Sequence, residues 1–221
     1  MSSTPYIIVA AVSYAFGSVP FGFLLVKIFR GEDIRLTGSG NIGATNVARS
    51  GAKGLGIVTL LLDALKGTFA VWFAYALGNS AYNACAIGTF CIPVVRLMAC
   101  AALGAVLGHM FPVWLRFRGG KGVATAVGCF FVLFPKAMLI SFVFFLVVVA
   151  ITRYVSLGSI FSSIAFPLIA RLADGAPWPS VILVAAISLL IVMKHYQNIR
   201  RLLSGNENRF GKKSPVPGDA T

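Results

Sequence analysis

Apolar residues along this chain gather into six long blocks, residues 6–29, 55–77, 84–107, 123–151, 154–172 and 178–193, separated by short basic segments. A helix needs roughly 20 apolar residues to cross the hydrocarbon core of a bilayer, about 30 Å thick. Most of the blocks suit that length, so the pattern predicts a bundle of membrane-spanning helices whose backbone groups are satisfied within each segment. The fourth block does not fit: its 29 residues would make a helix of about 44 Å. It also contains FPKAM, where Pro135 breaks a helix and Lys136 requires water. Division there predicts two short spans, 123–134 and 137–151, the first of 12 residues and drawing length from the loop before it. The total becomes seven.

Charge placement supports the division, because short cytoplasmic loops are enriched in Lys and Arg. With seven spans and the N-terminus outside, Lys27, Arg30, Arg35, Arg49, Lys53, Arg116, Arg118, Lys121, Arg153, Lys194, Arg200, Arg201, Arg209, Lys212 and Lys213 all fall inside. Lys136 and Arg171 fall outside, with Arg96 near the outer end of its block. With six spans the basic tail moves outside and Lys136 is stranded in the membrane. The expected fold is therefore all-α: a polytopic membrane protein with seven transmembrane helices, N-terminus outside and C-terminus cytoplasmic. Residues 1–205 are expected to form one integral membrane domain, and residues 206–221 a cytoplasmic tail with a disordered end.

Composition agrees, with 58% hydrophobic and 11% charged residues and a mean hydropathy of +0.88, whereas an ordinary globular chain is about 25% charged. The net charge of +13 is accounted for by topology-setting loops that rest on anionic membrane lipids. Nucleic acid is not expected as a partner, because the basic residues are dispersed and lack an interleaved aromatic platform. Cys85, Cys91, Cys100 and Cys129 lie in or beside spans without CxxC spacing, and read as packing residues or free thiols. The N-terminus has no basic region ahead of its apolar block, so that block is expected to insert as the first span.

Candidate chemistry concentrates in the polar segments. In RLTGSGNIGATNVARSG, residues 35–51, Gly38, Gly40 and Gly43 spell the GxGxxG of a dinucleotide-binding turn, and Asp63 stands 20 residues after Gly43. That turn requires a strand before it and an amphipathic helix after it; here a membrane span precedes it and Asp63 lies within the next span. GGKG is not a Walker loop either, since Gly122 stands where Ser or Thr is needed. What remains is physical: glycines let backbone amides turn toward an anion, Ser39, Asn41, Thr45 and Asn46 add side-chain hydrogen bonds, and Arg49 suits phosphate. A plain flexible connector is the alternative.

A second loop, GHMFPVWLRFRGGKGVAT at residues 108–125, offers His109, Arg116, Arg118, Gly119, Gly120, Lys121 and Gly122. Its aromatics and Arg116 read as interfacial anchors, but GGKG at the start of a span also places Lys121 and free amides where anions bind. The third cluster follows the last span in KHYQNIRRLLSGNENRFG. There a helical continuation would align His195, Asn198 and Arg201, spaced i, i+3 and i+6, along one face, with Glu207 just beyond. All three clusters fall on the cytoplasmic side.

Together these segments resemble the bacterial acyl-phosphate-dependent glycerol-3-phosphate acyltransferases. SGNIGATNVAR is similar to that family's first motif, with Ser39, Gly40, Asn41, Gly43, Thr45, Asn46 and Arg49 in place, and with Ile42 where many members have proline. GHMFPVWLRFRGGKGVAT is similar to the second and HYQNIRRLLSGNE to the third. The resemblance implies transfer of a fatty acyl group from acyl phosphate to glycerol 3-phosphate, forming lysophosphatidic acid for phospholipid biosynthesis at the bacterial inner membrane, with the active site facing the cytoplasm. It also implies no cofactor or metal, and makes the upstream acyl-phosphate-forming enzyme a candidate partner. Acyl phosphate has a good leaving group, so positioning and charge stabilisation can supply most of the catalysis.

On this reading Arg49 and Lys121 hold phosphate, with amides of Gly40, Gly43, Gly119, Gly120 and Gly122 around them, and Arg201 and Glu207 complete the site. Ser39, His195 and Asn198 orient the acceptor hydroxyl or the acyl carbonyl. Whether His195 or the donor's phosphate removes the proton stays open; a covalent acyl-Ser39 ranks last, for want of a Ser/His/Asp arrangement. Asp63 and Lys66, at i and i+3 in the second span, are either a structural ion pair or an opening toward the site. The HxxxxD of CoA- or carrier-protein-using acyltransferases is absent, since Trp114 and Arg200 stand where the aspartate would follow His109 and His195. A small transporter of anionic phosphorylated solutes is the other alternative, weakened by polar motifs that crowd one face and by the absence of a repeat.

Overall fold

The computed structural model describes residues 3–81, 91–209 and 211. Helices account for the architecture, and no strand occurs among the described residues. In chain order they are α1 (Thr4–Gly17), α2 (Phe21–Arg30), α3 (Ala44–Arg49), α4 (Lys53–Ala81), α5 (Ile92–Met110), α6 (Val123–Leu133), α7 (Pro135–Thr152), α8 (Val155–Ala173), α9 (Trp178–Lys194) and α10 (Tyr196–Leu203). Short 3-10 turns at Ile34–Leu36 and Val113–Leu115 sit in the first two motif loops. Expectations for Cys85 and for the tail from residue 212 onward fall outside the described residues.

Among the described residues five helical stretches, Thr4–Arg30, Lys53–Ala81, Ile92–Leu115, Pro135–Thr152 and Val155–Ala173, are long and apolar enough to cross a membrane, with a sixth if the bent pair of α9 and α10 is counted as one span. The break expected at FPKAM is present: α6 ends at Leu133, and Pro135 opens α7 at a position where its missing N–H costs nothing. Asp174, in the loop after α8, caps this start by accepting from the backbone N–H groups of Lys136 and Ala137 at 3.3 and 2.7 Å. The first block is also broken, at residues 18–20 between α1 and α2, because Pro20 cannot continue a helix.

α5 lies at the centre, with α1, α4, α6 and α9 packed around it, while α7 and α8 complete the bundle on the α9 side. Most of α7 faces outward, with Leu139, Ile140, Val143, Leu146 and Val147 exposed, as a lipid-facing helix requires. Close crossings are built on glycine. A Cβ on Gly128 of α6 would overlap the Ala64 backbone of α4, and one on Gly67 would overlap the Thr125 carbonyl in return; small residues at such crossings let backbones pack in the absence of a hydrophobic drive between helices.

One expectation about the thiols is corrected: Cys91, ahead of α5, is disulfide-bonded, whereas Cys100 and Cys129 are free. The α4–α6 crossing leads to a test. Gly128→Leu should cost about 1–3 kcal/mol through overpacking and lower the melting temperature of the detergent-solubilised protein, whereas Leu139→Ala on the exposed face should leave it nearly unchanged.

Candidate functional site

The first motif loop folds around one side chain. Asn46, buried in α3, donates from Nδ2 to the carbonyls of Asn41, Thr37 and Ile34 at 2.8, 3.1 and 3.2 Å, and its Oδ1 accepts from the Ser39 backbone N–H at 2.9 Å. Asn41 in turn uses Oδ1 to accept from the Gly43 N–H at 2.8 Å. Gly38 has φ +57°, and a Cβ there would collide with the Asn46 amide oxygen. Beneath the loop Ile34, Ile42 and Val47 pack with Val26 of α2 and with Leu115 of the second loop. That small core joins the two motif loops, and Ile42, at the proline position of the family motif, is one of its members.

The second loop is seated on the end of α5. The Gly119 and Gly120 amides donate to the carbonyls of Met110 and His109 at 3.1 and 3.0 Å, and a Cβ on either glycine would overlap His109 or the Met110 backbone. Trp114 Nε1–H donates to Ser18 Oγ at 3.0 Å, and the Tyr14 hydroxyl donates to the Phe111 carbonyl at 2.8 Å, which pins the loop to α1. Gly122, with φ +82°, caps the N-terminus of α6.

These bonds correct one expectation. The amides of Gly40, Gly43, Gly119 and Gly120 do not line an anion site: Gly40 donates to the Thr37 carbonyl at 3.0 Å, and the other three are committed as described. These glycines shape the loops. The Asn46 amide is likewise spent on the loop itself, Thr45 is exposed, and among the described residues the Ser39 hydroxyl has no protein partner.

After α9 the chain bends by 54° at His195 and enters α10. His195 is buried, and its Nδ1 lies 2.8 Å from the Ile191 carbonyl. Only a protonated Nδ1 can satisfy that carbonyl, so Nε2 presents a lone pair. Asn198 reaches in both directions, accepting from Lys121 Nζ at 2.6 Å and donating to Glu207 Oε1 at 2.7 Å. Glu207 also accepts from Ser156 Oγ of α8 at 2.8 Å and pairs with Arg201 Nε at 2.7 Å. Asn198 and Arg201 thus meet at Glu207, while His195 stands at the bend that opens α10.

The electrostatics follow from this crowding. Burial works against charge on Glu207, but hydrogen bonds from Arg201, Asn198 and Ser156 outweigh it and hold the carboxyl below its ordinary value. Burial pushes Lys121 down to about 8; Glu207 opposes the shift, while Arg201 and Arg49 add to it. Burial, aided by the Lys121 charge, takes His195 down to about 4, so the ring is neutral at pH 7. Arg49 shares the field of Glu207 and Arg201. Arg49, Lys121, His195, Asn198, Arg201 and Glu207 thus form one basic cluster drawn from all three motifs. Ser156 was not anticipated, because a serine opening an apolar helix carries no sequence signal. A cavity of about 510 Å³, lined by Phe23, Arg35, Trp114, Leu115, Arg116 and Arg118, shares none of the cluster's residues.

The glycerol-3-phosphate acyltransferase family model matches residues 7–205, which include the first two motifs and the third as far as Gly205. The chain belongs to the glycerol-3-phosphate acyltransferase family. The family member of Rhodopseudomonas palustris (strain BisB5) is 44% identical over 208 residues, 94% of this chain and 97% of that protein. The one from Geobacter sulfurreducens is 45% identical over 92% of this chain and 97% of its own. Crystal structures of PlsY, an integral membrane glycerol 3-phosphate acyltransferase, are similar throughout. Its glycerol 3-phosphate form gives a TM-score of 0.81 at 36% identity over 93% of this chain and 96% of its own, and its lysophosphatidic acid form gives 0.78 at 35% over 93% and 95%.

Lys121 is therefore a cation below about pH 8 and loses its charge as the pH rises through that value. Its rate of modification by a small acylating reagent, read by mass spectrometry against pH, should show a midpoint near 8. Since the Glu207 carboxylate favours the charged lysine, Glu207→Gln should move that midpoint lower; an upward move would contradict the assignment.

Proposed function

We propose that this chain transfers a fatty acyl group from acyl phosphate to glycerol 3-phosphate, forming lysophosphatidic acid and releasing inorganic phosphate. The observation that carries the proposal is the Lys121–Asn198–Glu207 chain of hydrogen bonds, which joins the second motif to the third with Arg49 of the first in its field. Two guanidinium groups and an ammonium around one carboxylate leave an excess of positive charge, suited to a phosphate dianion.

In this mechanism Arg49 and Lys121 hold the acceptor's phosphate, and Arg201 and Glu207 keep the cations spaced. Asn198 positions Lys121. His195, neutral and with Nε2 free of its Ile191 contact, accepts a hydrogen bond from the attacking hydroxyl, while Ser39 takes the acyl carbonyl or the donor phosphate. The hydroxyl oxygen adds to the acyl carbonyl, the carbonyl carbon to phosphate-oxygen bond breaks, and the hydroxyl proton leaves on the released phosphate. A histidine held near 4 is a poor resting place for that proton, which favours the phosphate as its acceptor. No protein nucleophile is required, since the leaving group is already good.

The same proposal places the chain in the bacterial inner membrane as seven spans, with α6 the short one, the N-terminus outside and residues 1–205 as one domain ahead of a cytoplasmic tail. It faces the cluster to the cytoplasm, where glycerol 3-phosphate and the donor-forming enzyme are. The disulfide at Cys91 lies at the opposite end of α5 from His109, which fits an oxidising outer side.

Purified protein supplied with glycerol 3-phosphate and, separately, acyl phosphate, acyl-CoA or acyl carrier protein tests the reading. Lysophosphatidic acid should form from acyl phosphate. Product from acyl-CoA alone would contradict the donor assignment, and none from any donor would contradict the activity.

A further inference from the structure

Three ionisable side chains lie inside the bundle, just beneath the cluster, and the mechanism above does not use them. Asp63 and Lys66 of α4 and His109 of α5 are 2–4% exposed. Lys66 Nζ stands 2.8 Å from Asp63 Oδ1 and donates to the Val19 carbonyl at 2.8 Å, at the break between α1 and α2. His109 Nδ1 is 3.5 Å from the same Asp63 oxygen and has no hydrogen bond. The other ring nitrogen, Nε2, lies against Gly120 so closely that a Cβ there would overlap it. Gly120 immediately precedes Lys121.

We propose that Asp63, Lys66 and His109 are positioning residues that fix the height and direction of the Gly119–Lys121 segment, and through it the phosphate-holding ammonium. A buried ion pair contributes little to stability relative to apolar residues of the same volume, so stability does not account for it. Connectivity does. The Asp63 carboxylate joins α4 to the α1–α2 break through Lys66 and packs 3.5 Å from His109 Nδ1 under the second loop, and three separate segments thereby meet at one point. The loop above cannot settle lower, because the imidazole fills the space under Gly120. It is held from rising by the Gly119 and Gly120 amides bonded to the end of α5. The inference rests on the reading that Lys121 holds the acceptor's phosphate.

The test is steady-state kinetics of the full chain in detergent, with glycerol 3-phosphate and acyl phosphate varied separately. Asp63→Leu combined with Lys66→Met removes both charges together, and so avoids the unpaired buried charge that would unfold a single variant. His109→Phe keeps the ring volume but severs the contact with Asp63. Each should raise KM for glycerol 3-phosphate about 10- to 100-fold, the scale of a small misplacement of a binding group, with KM for acyl phosphate within about twofold. The triple variant should be no worse than the double, because one connection is being cut twice. A purely structural role predicts changed melting temperature with both KM values unmoved, and that result would overturn the proposal. If the double variant does not fold, His109→Phe decides alone. Lys121→Gln separates the two readings: KM for glycerol 3-phosphate unchanged there removes the phosphate assignment and the brace with it. A raised KM there, with none in His109→Phe, removes the brace only.

Discussion

One carboxylate organises the polar end of this bundle. Glu207 receives hydrogen bonds from Ser156, Asn198 and Arg201 and sets the field at Lys121 and Arg49. Without it several cations would face one another across a partly desolvated space, where their repulsion is weakly screened. With it, they are held apart and directed, so the cluster keeps a net positive charge without collapsing or splaying. Ordering of the third motif follows: Ser156 and Asn198 both donate to Oε1 of Glu207, which joins α10 to α8, and Arg209 adds a hydrogen bond to the Tyr154 hydroxyl at the start of α8.

The membrane imposes the second constraint. Polar groups in hydrocarbon must be paired or hydrated, and the three polar motifs lie where the helices end or break. Helix breaks supply the necessary ends. The break at residues 18–20 exposes the Val19 carbonyl to Lys66, the short α6 starts two residues after Lys121, and the chain turns by 54° at His195 into α10. On the proposed function acceptor and donor differ in solubility, and a site at the rim of the bundle would meet one from water and the other from the lipid side.

Much of this was legible in the chain. Block length and the position of Pro135 are local properties, and they located the helices and the interruption at FPKAM, while the break at residues 18–20 divides a block that reads as one span. The three polar clusters were recognisable by residue type, as was the i, i+3 pairing of Asn198 and Arg201 on one face of α10. What was not legible depends on who partners whom. The glycine-rich motifs suggested free amides, but the amides of Gly40, Gly43, Gly119 and Gly120 are consumed by the Thr37 carbonyl, the Asn41 side chain and the end of α5. Asn46 looked like a ligand and is the centre of a loop. Ser156 carries no motif. The closeness of His109 to Asp63 is a contact across 46 residues of sequence, beyond any local pattern.

The account stands on where the acceptor's phosphate rests. A structure of this chain with glycerol 3-phosphate bound measures that directly. It should place the phosphate within hydrogen-bond distance of Lys121 Nζ and the Arg49 guanidinium, with the glycerol hydroxyls toward His195 and Ser39. A phosphate found instead in the cavity between Arg35, Arg116 and Arg118 would contradict it.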